Sequence, residues 1–464
     1  MARMRAWLER FNPFKTPEAK RLAVMFGVVY FAQGMWYLPN QTITIILKDR
    51  GLSAGQVADF FLITIIPWFI KPAYGLLSDF VPLFRRRRQS YFLLTTAMAG
   101  AAGLILAMSR SISEGPISVF TVPLPVVHVM IPGIGFGWKP LELDLGGPLD
   151  FTLVDGVGLF TLMALGLAFT DVLTDAMMVE NGRPRGLTGA FQAVQWACIT
   201  LASVLVGELG GHLAETRSLR AAFLLAACFP LMSLSMGVSF VRETPARTDK
   251  AAFFETWRAI RAAVSGREIW LVAGFIFFFW FSPSFGPAFL YYQTDTLNFS
   301  QQFIGRLAAL GAVSQIAGAV LYAPLSRRLP LKHIMHISIA LGVVSTLGYL
   351  VYRDATSAVL ITLVFGPVSM VINLAFLDLA AKACPARVEA TFFAALTSVY
   401  NLGAQLSENV GARLYDVVGY VPLVYIAAGM TALTWVLMPL VKFDRIDAKA
   451  RDEQIAHAET AATS

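Results

Sequence analysis

The chain alternates between long apolar runs and short polar joints. The runs lie near 22–47, 55–77, 91–109, 156–179, 187–209, 220–241, 269–293, 303–325, 333–352, 357–381, 391–412 and 421–441. A helix rises about 1.5 Å per residue and needs about 20 apolar residues to cross the hydrocarbon core of a bilayer. The pattern therefore predicts an all-α membrane protein with twelve transmembrane helices, numbered here as spans 1 to 12. Two joints are longer than a tight turn. Residues 242–268 are charged and separate six spans from six, and residues 110–155 are rich in proline and glycine. The expected organisation is an N-terminal segment over 1–21, a first six-helix half over 22–241, a central linker over 242–268, a second half over 269–441 and a tail over 442–464. The 110–155 loop has two readings, a small external cap or a segment that re-enters the membrane surface through Val126–Ile131.

Composition and charge refine this. Charged residues make up 14% of the chain and hydrophobic ones 56%, against about 25% charged residues in an ordinary soluble domain. An even number of spans puts both termini on one side. The joints on that side hold 27 of the 37 Lys and Arg residues, those on the other side hold eight, and Lys71 and Arg306 fall within spans. Basic residues accumulate on the cytoplasmic side, so both termini are expected in the cytoplasm, with the chain in a bacterial inner membrane. The net charge of +7 is then a topology signal and implies no nucleic acid.

Other chemistries are poorly represented. Cys198, Cys228 and Cys384 form no C-x-x-C pair, and His212, His333 and His336 have no ligand-like spacing, so no metal is expected. The sequence holds no Walker lysine loop and no H-E-x-x-H, which argues against an enzyme, a cofactor or ATP-driven work. Residues 1–20 mix charges without a cleavable apolar core, so no signal peptide is expected.

The two halves echo each other. Asp175 matches Asp378 at an offset of 203, and Tyr74-Gly75-Leu76-Leu77-Ser78 matches Tyr322-Ala323-Pro324-Leu325-Ser326 at an offset of 248. One insertion of the size of the 110–155 loop reconciles the two offsets. Parallel six-helix repeats of this kind bind their solute between the halves near mid-membrane.

The candidate chemistry centres on Asp171 and Asp175, at the end of the apolar run that starts near Val157. Four residues apart, they are turned only about 40° from each other on a helix. A carboxylate at depth in a bilayer costs roughly 2.5–3.5 kcal/mol on insertion scales, so the pair needs a partner or a wet cavity. Lys71 in span 2 falls in the same depth band by helical rise. One reading is a buried set that only balances charge. The other is that one aspartate carries a proton, or that Lys71 holds an anionic group of a solute. By depth, Asp175 is assigned the ion pair with Lys71, and Asp171 the proton. Glu180 reads as a solvated helix-end charge. Glu208, Glu408 and Arg413 read as solvated ends or as an external gate, and Arg306 as interfacial.

Amides and aromatic rings gather on other spans: Gln33, Trp36 and Asn40 on span 1, Gln192 and Gln195 on span 5, Trp280 and Tyr291 on span 7, Tyr400 and Asn401 on span 11. Gln33, Trp36 and Gln192 are the preferred contacts for a flat heteroaromatic solute, which stacks and offers donors and acceptors along its edge. The bland alternative is interface anchoring and helix-to-helix hydrogen bonding. Pro67, Pro72, Pro283, Pro287 and Pro367 interrupt helices and allow bends.

Gly75-Leu76-Leu77-Ser78-Asp79 followed by Arg85, Arg86, Arg87 and Arg88 resembles the signature between spans 2 and 3 of the major facilitator superfamily. That resemblance implies that Gly75, Asp79 and the four arginines latch the cytoplasmic face. Ile66 to Asp79, Asp171 to Ala176, Ser282-Pro283-Ser284 with Phe289 to Tyr292, and Cys384 to Thr391 are similar to segments of the folate–biopterin transporter family within that superfamily. The resemblance runs from about residue 25 to 420. It implies a proton-driven carrier of folates, pterins or a related small molecule. The rival readings are a carrier of another amphipathic metabolite, such as a muropeptide or drug, and a non-transporting assembly factor for pigments or lipids. The expected partners are a small-molecule substrate, protons and the lipid bilayer, with the chain a monomer.

The orientation is open to a direct check. Ser113→Cys should react with a membrane-impermeant thiol reagent added outside intact cells, and Thr248→Cys should not. The reverse pattern would overturn the orientation drawn from the basic residues.

Overall fold

The computed structural model describes residues 13–123, 125, 127–131, 141–145, 147–182, 185–241, 250–384 and 389–449. Position 248, residues 385–388 of the motif before span 11, and the outer parts of both termini lie outside the described residues. Among the described residues, nine helices are long and apolar enough to cross a bilayer. They are span 1 (Pro17–Asp49), span 3 (Gln89–Met108), span 4 (Val157–Gly182), span 5 (Thr188–Glu215), span 6 (Leu219–Phe240), span 8 (Gln301–Arg328), span 9 (Leu331–Val351), span 10 (Ala355–Ala383) and span 12 (Tyr420–Leu440). The remaining three expected spans are helical but depart from that pattern. Span 2 is in three pieces, Ala54–Thr64, Ile66–Phe69 and Lys71–Phe80. Span 7 runs over Arg267–Trp280, unwinds, and resumes as Pro287–Tyr291 with a π turn over Tyr292–Thr296. Span 11, Glu389–Val418, is 30 residues long but carries Asn401, Gln405, Glu408, Asn409, Arg413 and Asp416.

Helix starts repeat between the halves. Ser53 caps span 2 by accepting from Gln56 N, and Ser300 caps span 8 by accepting from Phe303 N. A capping side chain satisfies one of the amides that open a helix. Proline accounts for the breaks in spans 2 and 7, because it lacks an N–H and clashes with the preceding turn. Pro367 behaves differently: span 10 continues through it, and the expected interruption there is absent.

Spans 1, 5 and 6 pack together in the first half, and span 3 packs on both span 4 and span 6; in the second half span 8 packs on span 10, span 9 on span 12, and span 7 on span 11. One buried core gathers around Phe26, Phe60, Phe160 and Phe223, the other around Phe275, Ile339, Phe376 and Phe443. The halves meet through spans 5 and 8 and through spans 2 and 11. Spans 5 and 8 approach backbone to backbone, since a side chain at Gly211 would lie 2.9 Å from the Gln301 carbonyl and 3.0 Å from the Cα of Gly305. Small residues permit such close contact between membrane helices.

The 110–155 segment is a ribbon. Strand β1 (Ile117–Pro123) pairs antiparallel with β4 (Pro148–Val154), and β2 (Val127–Ile131) pairs with β3 (Leu141–Leu145). Gly156, at φ 87°, turns the end of the ribbon into span 4. The ribbon marks one face of the molecule, called the hairpin face here; the start of span 1 at Pro17, the end of span 12 at Leu440 and the helix Lys250–Val264 lie on the opposite, terminal face.

Candidate functional site

The break in span 2 positions the ionisable groups. Ile65 and Ile70 sit at the two joints, and Pro67 and Pro72 follow them. The Tyr74 hydroxyl donates to the Pro67 carbonyl at 3.0 Å, which satisfies an acceptor that the broken helix would otherwise leave bare. Lys71 opens the lower piece. Its Nζ lies 2.6 Å from Asp171 Oδ2 and 4.6 Å from the centre of the Trp68 ring. Asp175 instead accepts hydrogen bonds from the Tyr30 hydroxyl and from Gln195 Nε2 at 3.5 Å.

This reverses the pairing expected from helical rise, which gave Lys71 to Asp175. The Cα–Cβ bonds of a helix tilt toward its N-terminus. Span 2 runs from the hairpin face to the terminal face, so the long Lys71 side chain reaches toward mid-membrane and meets the deeper aspartate. Depth counted between Cα atoms omits that reach. The trio therefore holds one closed ion pair and one carboxylate that meets only neutral donors within hydrogen-bonding distance. Such a carboxylate is the group on which a proton can be gained or lost without breaking the pair.

The proposed solute contacts separate into groups. Gln33 Oε1, Trp36 Nε1, Asn40 Oδ1, Trp68 Nε1 and Trp280 Nε1 are sealed from solvent and have no hydrogen-bond partner among the described residues. A buried polar group left unmet costs about 1–3 kcal/mol. All five belong to spans 1, 2 and 7, and all three spans are interrupted; in span 1 the α-helix gives way to a 3-10 turn over Met35–Tyr37. Trp36 is also stacked on Phe160 at 4.2 Å, inside the first-half core. Trp280 meets Tyr400 edge to face at 4.4 Å. Asn401 is half-buried on span 11, and Gln192 is exposed about one turn from Gln195. Tyr291 departs from the expected set: it is buried, and its hydroxyl donates to the Leu52 carbonyl at 2.5 Å, in the contact between the halves. Between spans 1, 5 and 8 lies a cavity of about 390 Å³ lined by Gly34, Tyr37, Ser203, Gly207, Ala312 and Gln315, within the size range of small-molecule sites.

Among the described residues, every hydrogen bond and ion pair that joins the halves lies toward the hairpin face. Asp59 is buried and accepts from Arg413 Nη2 at 2.7 Å, Asn409 Nδ2 at 2.8 Å and Thr152 N at 2.9 Å. Arg413 also donates to the Asp150 carbonyl at 2.7 Å and lies over the Phe151 ring, so the ribbon is tied into this seam. Lys48 pairs with Asp295 at 2.6 Å and Arg306 with Glu208 at 3.4 Å. Two carboxylates cross in opposite directions. Glu215 of the first half accepts from Gln301 N at 2.6 Å and Gln302 N at 3.2 Å, and Asp416 of the second half accepts from Gly55 N at 2.8 Å and Ala54 N at 3.2 Å. Each neutralises amides at the start of a helix in the other half, where the helix dipole favours negative charge. Arg413 is thus a half-buried partner across the seam and not a solvated end, whereas Glu208 and Arg306 pair across it with both side chains exposed.

At the terminal face, Arg88 is buried and reaches Asp79 at 2.5 Å, Glu180 at 2.9 Å and Ser78 Oγ at 2.7 Å. Glu180 keeps the solvated helix-end position expected of it, its side chain exposed, while it pairs with Arg88. Arg85, Arg86 and Arg87 are exposed. A side chain at Gly75 would meet only Val172, at 3.8 Å, so no close approach requires glycine there. The cluster joins spans 2, 3 and 4 of one half. Tyr30, Asp59, Trp68, Glu215 and Asp416 were not singled out from the sequence. Tyr30 lies three residues before Gln33, on the same side of span 1, and that spacing was the available signal.

Comparison with known proteins agrees with this arrangement. A family model described as the BT1 family matches residues 33–122 and 156–441, leaving out most of the ribbon. The chain is 30% identical over 420 residues to a folate-biopterin transporter of Synechocystis, covering 86% of this chain and 75% of that protein. It is 20% identical over 395 residues to folate transporter 2 of Plasmodium falciparum, covering 82% and 77%. Among solved structures, a variant of the nucleoside transporter NupG superposes with a TM-score of 0.64 at 12% identity, covering 92% of this chain and 99% of that one. A D-xylose-proton symporter gives 0.61 at 15% identity, covering 90% and 96%. The fold is that of major facilitator transporters.

The pairing yields a stability test. Asp171→Asn should strand the Lys71 charge and lower the melting temperature of the purified protein, since breaking a buried pair costs about 3–5 kcal/mol. Lys71→Met added to Asp171→Asn should recover part of the loss. A double variant no more stable than Asp171→Asn alone would refute the pairing.

Proposed function

The chain belongs to the BT1 family, and from that membership we propose that it is a secondary active carrier of a folate- or pterin-like small molecule, coupled to protons and working by alternating access. The observation that supports this most directly is the ionisable trio, held where span 2 is interrupted and joined there by Tyr30 of span 1 and Gln195 of span 5. Discontinuous helices near mid-membrane supply polar groups to solute and coupling-ion sites in many carriers. Gln33, Asn40, Trp68 and Trp280 have unmet polar atoms on such spans, and rings such as Trp68 and Trp280 suit the faces of a flat heterocycle.

With the basic joints of the terminal face placed in the cytoplasm, the seam at the hairpin face closes the external side, and this structure is an inward-facing state. The membrane is a bacterial inner membrane, and the working unit is a monomer. Asp175 takes the coupling role first assigned to Asp171, because Asp171 is occupied by Lys71 while Asp175 is held by a hydroxyl and an amide. Loss of a proton from Asp175 leaves two carboxylates beside one lysine, and gain of a proton restores neutrality in a low-dielectric setting. Proton occupancy thereby sets the charge of the cavity that the solute enters.

Pterins or folates at saturating concentration should raise the melting temperature of the purified protein, and peptidoglycan fragments should not, because a solute bound only by the folded state adds to its apparent stability. A shift with peptidoglycan fragments alone would favour a muropeptide carrier. In proteoliposomes, Asp175→Asn should retain solute counterflow but lose accumulation driven by a pH gradient. Accumulation equal to that of the parent would remove Asp175 from the coupling path.

A further inference from the structure

Span 11 presents three distinct faces. Gly403, Ser407 and Gly411 recur every four residues and pack on span 7, Gly403 against the end of its helix at Phe277 and Trp280 and the other two against its unwound part: Ser407 Oγ donates to the Ser282 carbonyl at 2.5 Å, and the Ser284 amide donates to the Ser407 carbonyl at 3.2 Å. Asn409, Arg413 and Asp416 face span 2 at the seam. Glu408 occupies the face between these two, with Asn401 about 20° and Gln405 about 60° from it around the helix. Span 11 also packs on the Ile66–Phe69 and Lys71–Phe80 pieces of span 2, the second of which opens with Lys71 of the trio. Span 11 therefore approaches from the second half the space that the trio approaches from the first.

Glu408 is under-used as a hydrogen-bonding group. Among the described residues its side-chain partner is Gln405 Nε2, at 3.4 Å, and it belongs to no ion pair, whereas a carboxylate can accept about four hydrogen bonds. The break in span 7 is shaped around it. Gly286 has φ 45°, and a side chain there would lie 2.9 Å from Glu408 Cβ and 3.1 Å from its carbonyl oxygen. Only a glycine at 286 lets the unwound segment pass this residue. An ionisable group held at membrane depth by such an arrangement marks a functional site.

We propose that Glu408 reads the donor edge of the solute: an adjacent ring N–H and exocyclic amino group, such as a 2-amino-4-oxo-pteridine carries. This rests on the pterin reading above. A carboxylate accepts both donors side by side, and it repels a solute that places a carbonyl where the amino group stood. The trio of the first half already carries one negative charge in excess when both its aspartates are ionised. A second acidic group across the cavity therefore makes the middle of the site rich in acceptors and selects donors.

The test compares binding of pterin and of lumazine, its 2,4-dioxo analogue, to the full-length protein in nanodiscs. The parent should prefer pterin by about tenfold or more, as charge-assisted hydrogen bonds require. Glu408→Gln should lose pterin affinity and bring the preference close to unity. Glu408→Asp, one methylene shorter, should keep the preference but weaken pterin binding by roughly threefold or more; it decides the matter if Glu408→Gln does not fold. An unchanged preference in Glu408→Gln, or parent-level pterin affinity in Glu408→Asp, would overturn the assignment while leaving the carrier reading intact. A parent that binds neither pteridine would overturn the pterin reading and this assignment with it.

Discussion

A lysine and two aspartates lie together in a part of the molecule from which most water is excluded, and their charges do not cancel. A lone charge in such surroundings is costly, so the neighbouring helices are arranged to answer it. Span 2 breaks so that Lys71 begins a new helix and can extend its side chain to Asp171. Span 1 brings Tyr30 and span 5 brings Gln195 to the remaining carboxylate. Three helices of the first half are thereby oriented by one charge problem.

The second half solves the related problem differently. Asp378, the counterpart of Asp175 in the repeat, takes a hydrogen bond from Tyr322 at 3.2 Å and an ion pair from Lys382 at 3.0 Å, and Lys382 also reaches Asp447 at 3.2 Å. Its charge is met locally, on its own helix. The repeat thus preserved architecture while dividing labour: the first half keeps a carboxylate with only neutral donors beside it, and the second half keeps its broken span 7 and its aromatic cluster.

The architecture was largely legible in the sequence, because apolar runs and basic joints are imposed by the bilayer and leave a one-dimensional record. Lys71, Asp171 and Asp175 were legible for the same reason, as charges that stand out against apolar runs. Their pairing was not, since it depends on the direction in which a side chain leaves its helix. Tyr30 and Trp68 were hidden because aromatic residues in apolar runs are ordinary. Asp59, Glu215 and Asp416 were hidden because charges near helix ends are ordinary too, and only the fold shows that each faces the other half. Strands β1 and β4 were obscured by the prolines and glycines of their segment. The alternation of a short ribbon is a weaker signal than an apolar run.

The crossing carboxylates have a consequence for how the seam tolerates sequence change. Glu215 and Asp416 grip backbone amides of Gln301, Gln302, Ala54 and Gly55, and every residue except proline supplies such an amide. Gln302 can therefore drift in side-chain identity without losing the contact, whereas a side chain at Gly55 would lie 2.9 Å from Asp416 Oδ2 and Ala54 and Gln301 are buried. The donors of the grip cannot drift, because no neutral apolar side chain replaces a carboxylate there. Selection on this seam should concentrate on two acidic residues and on the exclusion of proline at four others. A conserved contact of this kind would leave almost no trace of covarying pairs between the halves.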